Sequence, residues 1–291
     1  MKSYDIVMIG HISKDIMIDY RGGVDRLTGG PVVQSSAAAV RAGATVLVVT
    51  KAAAVDIPAV ESLKKGGAEW RILPSASTTS IKNVYLTENQ ERRRVSLLSQ
   101  ADPFRPEDIP ENPAGIYHLA GLFRGEIPDS MIAALAEKAP VAVDAQGLLR
   151  YREGKNLSFR DWERKKEYLP LISCFKVDAA EAEILTGETD REKAARQLHL
   201  WGAKEVMLTH NTEVLVCSGD KIYRAPYTNR SFTGRTGRGD TTFAAYLAWR
   251  KNHSIQDSVT FAAALCSIKM ETPGPFDGTV DDVMERIRRE Y

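Results

Sequence analysis

Short apolar runs alternate with segments of helical period along the whole of this chain. Runs at residues 6–9, 45–49, 115–119, 141–144, 173–177 and 205–209 read as strands. The stretches 45–49 and 141–143 are continuously apolar, as strands buried on both faces of a parallel sheet are. Elsewhere apolar residues recur three and four apart. That spacing predicts helices over 32–42, 57–65, 129–138, 179–185, 191–201, 241–251, 255–270 and 280–290. Strands alternating with helices predict an α/β fold, a sheet covered by helices. Two stretches break the rhythm. Residues 11–28 are polar and mixed, and 78–99 read as a hairpin turning near 88–90. Together they predict a small antiparallel sheet outside the main one, either a lid over a site or a surface decoration without function.

Composition narrows the class. At 291 residues the chain can bury a large core, and its formal net charge of +1 gives no overall attraction to nucleic acid or membrane. Basic clusters at 92–94 and 286–289 are flanked by acids and read as solvated faces. Cys174, Cys217 and Cys266 are widely spaced, with no Cys-x-x-Cys pair, so buried reduced thiols are expected. The first strand leaves no room for a signal peptide, and no apolar run approaches the roughly 20 residues that span a bilayer. The expectation is a cytoplasmic protein without nucleic-acid or membrane partners.

The candidate chemistry is concentrated near the C-terminus. Gly234, Gly237 and Gly239 lead into Asp240, after which Phe243, Ala244, Leu247 and Ala248 fall at helical spacing. Glycines let successive N–H groups converge, and the following helix points its positive end at the same place. An anion fits there, with the Asp240 carboxylate beside it as a base. An anion hole next to a base is what phosphoryl transfer to a hydroxyl requires. The alternative is a tight connection in which Asp240 caps the helix. No Gly-Lys-Ser/Thr follows, so this is not a Walker A loop, and a Gly-x-Gly-x-x-Gly fingerprint is missing after the first strand, which argues against a dehydrogenase.

A second glycine element, Gly29 and Gly30, precedes Gln34 and an alanine-rich helix ending near Gly43. It permits close approach of a ligand, with Gln34 offering an amide to hydroxyls, or else it is a tightly packed turn. Asp15 follows the first strand on the side where open α/β sheets bind ligands. His11 beside it is a substrate contact or a structural histidine. The strand ending at Asp144 runs into a turn that carries Gln146, which reads as a strand-end turn or as a place where Asp144 or Gln146 meets a ligand.

In order and spacing these elements resemble the two signatures of the ribokinase-like (PfkB-type) carbohydrate kinases, over essentially the whole chain. The resemblance implies one kinase domain over 1–291. Its fold would be a three-layer sandwich around a mostly parallel sheet, with a small β lid drawn from about 11–28 and 78–99. It implies transfer of the γ-phosphoryl group of ATP, with Mg²⁺, to a hydroxyl of a sugar or polyol. Asp240 would take the proton, and the N–H groups of Gly237, Arg238 and Gly239 would form the anion hole. Asp15, Gly30, Gln34 and His11 would hold the substrate. The segment Lys176, Val177, Asp178 to Glu181 resembles the family's Asn-x-x-Glu motif, so Asp178 and Glu181 would organise the phosphates, Glu181 reaching the metal through water. Thr209, Ser267 and Gly274 fall where the family holds its nucleotide. Lid strands of this family pair into dimers, so a homodimer through the lid is the implied partner.

Four departures stand out. Arg238 replaces the usual Ala, Gln34 an Asn, Asp178 an Asn, and the strand ending at Thr209 continues without the usual glycine turn. Arg238 and Gln34 also resemble a subgroup acting on inositol or inosose. A nucleoside kinase, and a non-catalytic sugar or nucleotide sensor on the same fold, are the competing readings.

Overall fold

The computed structural model describes residues 1–87 and 93–291, so the turn expected near 88–90 lies outside the described residues. The first half runs β1 (Tyr4–Ile9), β2 (Ser13–Ile18), β3 (Val24–Gly29), α1 (Pro31–Arg41), β4 (Val46–Ala52), α2 (Ile57–Leu63), β5 (Glu69–Pro74), β6 (Ser80–Tyr85), β7 (Arg93–Ser99), β8 (Ala114–Leu119), α3 (Asp129–Ala136) and β9 (Val141–Asp144). The second half runs α4 (Gln146–Leu149), β10 (Arg150–Glu153), β11 (Asn156–Phe159), α5 (Lys165–Tyr168), β12 (Cys174–Asp178), α6 (Ala179–Thr186), α7 (Arg191–Leu200), β13 (Glu205–Thr209), β14 (Glu213–Ser218) and β15 (Lys221–Pro226). Three helices close the chain: α8 (Arg238–Arg250), α9 (Ile255–Met270) and α10 (Val280–Glu290).

Nine strands form the main sheet in the order β15-β14-β13-β12-β9-β8-β1-β4-β5. From β13 to β5 every pairing is parallel, whereas β14 and β15 return antiparallel. Strand period splits the core into two layers. Val7, Ile9, Leu47 and Val49 pack with Met131, Leu135, Leu185 and Leu198 of α3, α6 and α7. Ile6, Met8, Val46 and Val48 face the other way, onto Val32, Phe243, Leu247, Phe261 and Val283 of α1, α8, α9 and α10. A sheet between two helical layers is the three-layer sandwich that the sequence implied.

The lid is a four-stranded sheet ordered β3-β2-β6-β7. It is not wholly antiparallel as expected: β2 and β6 run parallel, with Lys14 opposite Ser80. The reason is topological. β2 follows β1 and β6 follows β5, both strands of the parallel sheet, so the two arms leave it in the same direction. β3 is the outer lid strand and exposes Val24 and Leu27.

Helix α8 begins three residues earlier than its apolar period suggested. Gly237, at φ 81°, is its N-cap, and Asp240 is therefore the third residue of the first turn, not the cap. All three cysteines are buried free thiols. Among the described residues no helix is long and apolar enough to cross a membrane.

Candidate active site

The site lies where strands β9, β12 and β13 end and helix α8 begins. Lys176 on β12 pairs in register with Asp144 on β9. Its Nζ is 3.1 and 3.2 Å from the two Asp144 oxygens and 3.8 Å from Glu181 Oε2. All three side chains are buried. Burial works against the Lys176 charge, but Asp144 and then Glu181 outweigh it and hold the ammonium above its ordinary range. Burial pushes Glu181 up to about 8, with Lys176 opposing.

Asp178 and Glu181 also cap α6 reciprocally. Glu181 Oε2 accepts from the Asp178 N–H and Asp178 Oδ1 from the Glu181 N–H, both at 2.8 Å. That is a capping box, and it accounts locally for both carboxylates at this spacing. Among the described residues no group of three or more His, Cys, Asp or Glu side chains is arranged to hold a metal.

Asp240, partly buried in the first turn of α8, is within electrostatic reach of Lys176. Burial and then the neighbouring Asp144 carboxylate push its pKa up to about 6, against the pull of Lys176, Arg150 and Lys269. The α8 turn lies close on the Lys176 ammonium: a Cβ added to Gly239 would be 3.0 Å from Nζ. The Arg238 N–H donates to Arg235 O at 3.2 Å, closing the turn, so the expected anion hole is corrected at that position. The N–H groups of Gly239 and Asp240, in the first turn of α8, have no backbone partner among the described residues and point out of the helix end.

The substrate-side residues meet at the start of α1. Gly30, at φ +99°, lets α1 begin against the β1–β2 link, where a Cβ would lie 2.7 Å from His11 O. Asp15 Oδ2 lies 2.6 Å from where Gly29 would carry a Cβ. Gln34 packs on Gly237, which has room for no side chain: a Cβ there would meet Gln34 Cγ at 2.5 Å. Gln34 Oε1 and Ser13 Oγ are buried without a hydrogen-bond partner. Asp15, Gly30, Gln34 and Gly237 are thus brought together, and Ser13 joins them.

His11 takes a different place. It is fully buried, with Nε2 3.0 Å from Asp102 O and Nδ1 3.1 Å from Thr79 Oγ1. Both ring nitrogens are engaged inside the protein, so His11 props the lid root instead of offering a ring atom to a ligand. Ser267 is likewise enclosed: its hydroxyl accepts from the Thr228 N–H at 2.9 Å and donates to Ala263 O at 2.7 Å. Thr209 is buried at the end of β13, and Gly274 lies in an exposed turn at φ +95°.

Arg238 gains a partner that was not foreseen. Asn211, in the β13–β14 turn, accepts from Arg238 Nη1 at 2.9 Å and from Arg235 Nη2 at 3.0 Å on the same oxygen. The Arg238 guanidinium lies 5.9 Å from the Tyr227 ring centroid, and its Nε is buried without a partner. Two cations therefore sit together on a neutral acceptor, next to the helix N-terminus.

A model of the pfkB family of carbohydrate kinases matches residues 67–281. This chain belongs to that family. Among solved structures, a pyrophosphate-dependent kinase of the ribokinase family, complexed with a pyrophosphate analogue and myo-inositol, is 37% identical to this pfkB kinase. The TM-score is 0.89, over 96% of this chain and 99% of that one. A pyrophosphate-dependent myo-inositol-1 kinase, converted into a myo-inositol-3 kinase by mutation, is 38% identical with a TM-score of 0.86, over 97% and 98%. Cytidine kinase of Thermococcus kodakarensis is 29% identical over 255 residues, 84% of this chain and 87% of its own. Ribokinase of Arabidopsis thaliana, solved with ribose and ATP, shares the fold at 18% identity, with a TM-score of 0.78 over 99% of each chain. The names of the relatives at 37% and 38% identity state a pyrophosphate donor, where the sequence expectation was ATP.

Proposed function

We propose that this pfkB kinase transfers a phosphoryl group from pyrophosphate to a hydroxyl of myo-inositol or a closely similar polyol. The observation that carries the donor is the Arg235–Arg238 pair held by Asn211 beside the α8 N-terminus. Pyrophosphate has no base or ribose to supply binding energy, so its recognition rests on cations and N–H groups. Arg238 brings a buried Nε without a hydrogen-bond partner, a charged donor open to such a ligand. The enclosed hydroxyl of Ser267 supports the same reading, because it has nothing left to give a nucleotide. The likeness to pyrophosphate-dependent kinases at 37% and 38% identity agrees.

In this reading Asp15, Gln34 and Ser13 orient the polyol, and its reacting hydroxyl faces Asp240. The hydroxyl oxygen bonds to the nearer phosphorus as the bridging P–O bond breaks. The proton passes to Asp240, and inorganic phosphate leaves toward Arg235 and Arg238. The first-turn N–H groups of α8 hold the charge on the transferring group. Bound together with the donor, Mg²⁺ would supply neutralisation of phosphate charge. Asp178 and Glu181 already accept each other's backbone N–H groups, so they would reach the ion through water.

ATP with a sugar or nucleoside acceptor is the second reading, and the likeness to the cytidine kinase favours its nucleoside acceptor. The sensor reading loses ground because the base, the open N–H groups and the cations occur together. The test is product formation from myo-inositol, ribose and cytidine, each with pyrophosphate or ATP. Myo-inositol with pyrophosphate is expected to turn over fastest. Arg235→Met with Arg238→Met is expected to raise the pyrophosphate KM by about 10- to 100-fold, as loss of charged hydrogen bonds does, with the acceptor KM little changed. Turnover with ATP and none with pyrophosphate overturns the donor assignment.

A further inference from the structure

Lys269 is the second buried lysine at this site, on the last turn of α9 and only 2% exposed. Its Nζ donates to Gly234 O at 2.5 Å and to Thr236 O. Both carbonyls belong to the turn that leads into the first-turn N–H groups of α8. That turn is pressed onto the end of α9. The Gly234 N–H donates to Met270 O at 2.8 Å, and Thr233 Oγ1 to Glu271 O at 2.7 Å. The fit leaves no space for a side chain at 234, where a Cβ would lie 1.8 Å from Thr272 O and 2.6 Å from Lys269 O.

A buried ammonium normally finds a carboxylate. The hydrogen bonds made by Lys269 among the described residues go to neutral carbonyls, with Cys266 and then Asp240 acting on it only at a distance. Carbonyl oxygens around a monovalent charge are the surroundings that a protein gives a dehydrated potassium or ammonium ion. Lys269 brings that charge in covalently.

We propose that Lys269 is a tethered monovalent cation. Its ammonium organises the carbonyls behind the phosphoryl-binding turn and so makes the enzyme independent of potassium. It touches neither donor nor acceptor, so it is a positioning residue. It fixes Gly234 and Thr236, and through them the direction of the N–H groups that follow. Its charge also favours the ionised form of Asp240 from behind. The assignment rests on the proposed phosphoryl transfer only for its kinetic readout, not for its thermal one.

The experiment compares the wild-type protein, Lys269→Ala and Lys269→Met in potassium chloride and in choline chloride of equal ionic strength. Choline is too bulky for a carbonyl-lined hole of this size. Wild type is expected to show the same turnover and melting temperature in both salts. Lys269→Ala is expected to lose turnover in choline by at least about tenfold, through misdirection of the N–H groups. Potassium or ammonium restores most of that loss and raises the variant's melting temperature. Lys269→Met fills the hole without charge and is not rescued.

A wild type stimulated severalfold by potassium overturns the proposal, as does an alanine variant that neither ion restores. If Lys269→Ala folds in neither salt, Lys269→Met decides: unaltered turnover sinks the proposal, and a fall of about tenfold at unchanged acceptor KM supports it. If no donor supports turnover in wild type, the functional reading fails separately. The potassium-specific rise in melting temperature of Lys269→Ala then still judges Lys269.

Discussion

Asp240→Asn is expected to lower turnover by about 10²–10⁴-fold, the effect of losing the proposed general base, yet to melt above wild type at pH 8. The two effects share one cause. Burial and the Asp144 carboxylate raise Asp240 from an ordinary 3.8 to about 6. The folded protein therefore binds this proton more tightly than the unfolded chain does. The resulting stability is fully present below pH 3.8 and is lost as pH rises through about 6. At pH 8 the carboxylate is a partly enclosed charge within reach of the Asp144 carboxylate, and the neutral amide relieves that repulsion. Melting curves at pH 5 and pH 8 test this, because the advantage of the variant should shrink at pH 5. Wild-type kcat/KM is expected to climb through about pH 6 as the base ionises. An Asn variant with most of its activity, or with no thermal gain at pH 8, rejects the assignment.

Lys176→Met acts in the opposite sense on the fold. Its ammonium lies between Asp144 and Glu181, and all three are buried. Removing one partner of a buried ion cluster leaves charges without a counter-ion and costs about 3–5 kcal/mol. Methionine replaces most of the lysine stem, so lost packing contributes little. The remaining carboxylates repel, and the proton on Asp240 is held more tightly. The onset of activity should move to higher pH, together with the loss of stability. Denaturant titration and a pH–rate profile of the same variant read both effects. A denaturation midpoint equal to wild type shows that the cluster does not hold the fold together.

The apolar pattern was legible where burial is symmetrical. The strand over Val141–Asp144 and the helices over Ile255–Met270 and Val280–Glu290 have the bounds that the pattern gives. The edges of the sheet were not legible. β5 opens on alternating charged and apolar residues and β15 carries Lys221 and Arg224 among apolar ones, because part of each faces solvent, and β14 returns through a three-residue turn with no helix to announce it. The hairpin β10–β11 is short and polar, with Tyr151, Arg152 and Glu153 on it. In the site, Asp240, Gly237, Gly239, Asp15 and Gln34 were visible because glycines and acids stand out at turns. Lys176 and Lys269 were hidden inside apolar elements. A lone charge in an otherwise buried strand or helix was the available signal, and reading it as functional needs the carbonyls and carboxylates that only the fold supplies. Arg235 and Asn211 are 24 residues apart and meet only because β14 and β15 fold back.

The lid joins parts of the chain that are far apart. Ser80 Oγ donates to Lys14 O across 66 residues, and the parallel pairing of β2 with β6 runs on from there. Closing so long a loop is entropically expensive until β1, β4 and β5 already lie side by side and aim both arms the same way. The lid is thus expected to assemble after β1, β4 and β5 have come together. Pulse-labelled hydrogen exchange during refolding should protect β1 and β4 before β2 and β6. A newly made chain would then pass through a stage in which its central strands are paired and its cover is still open.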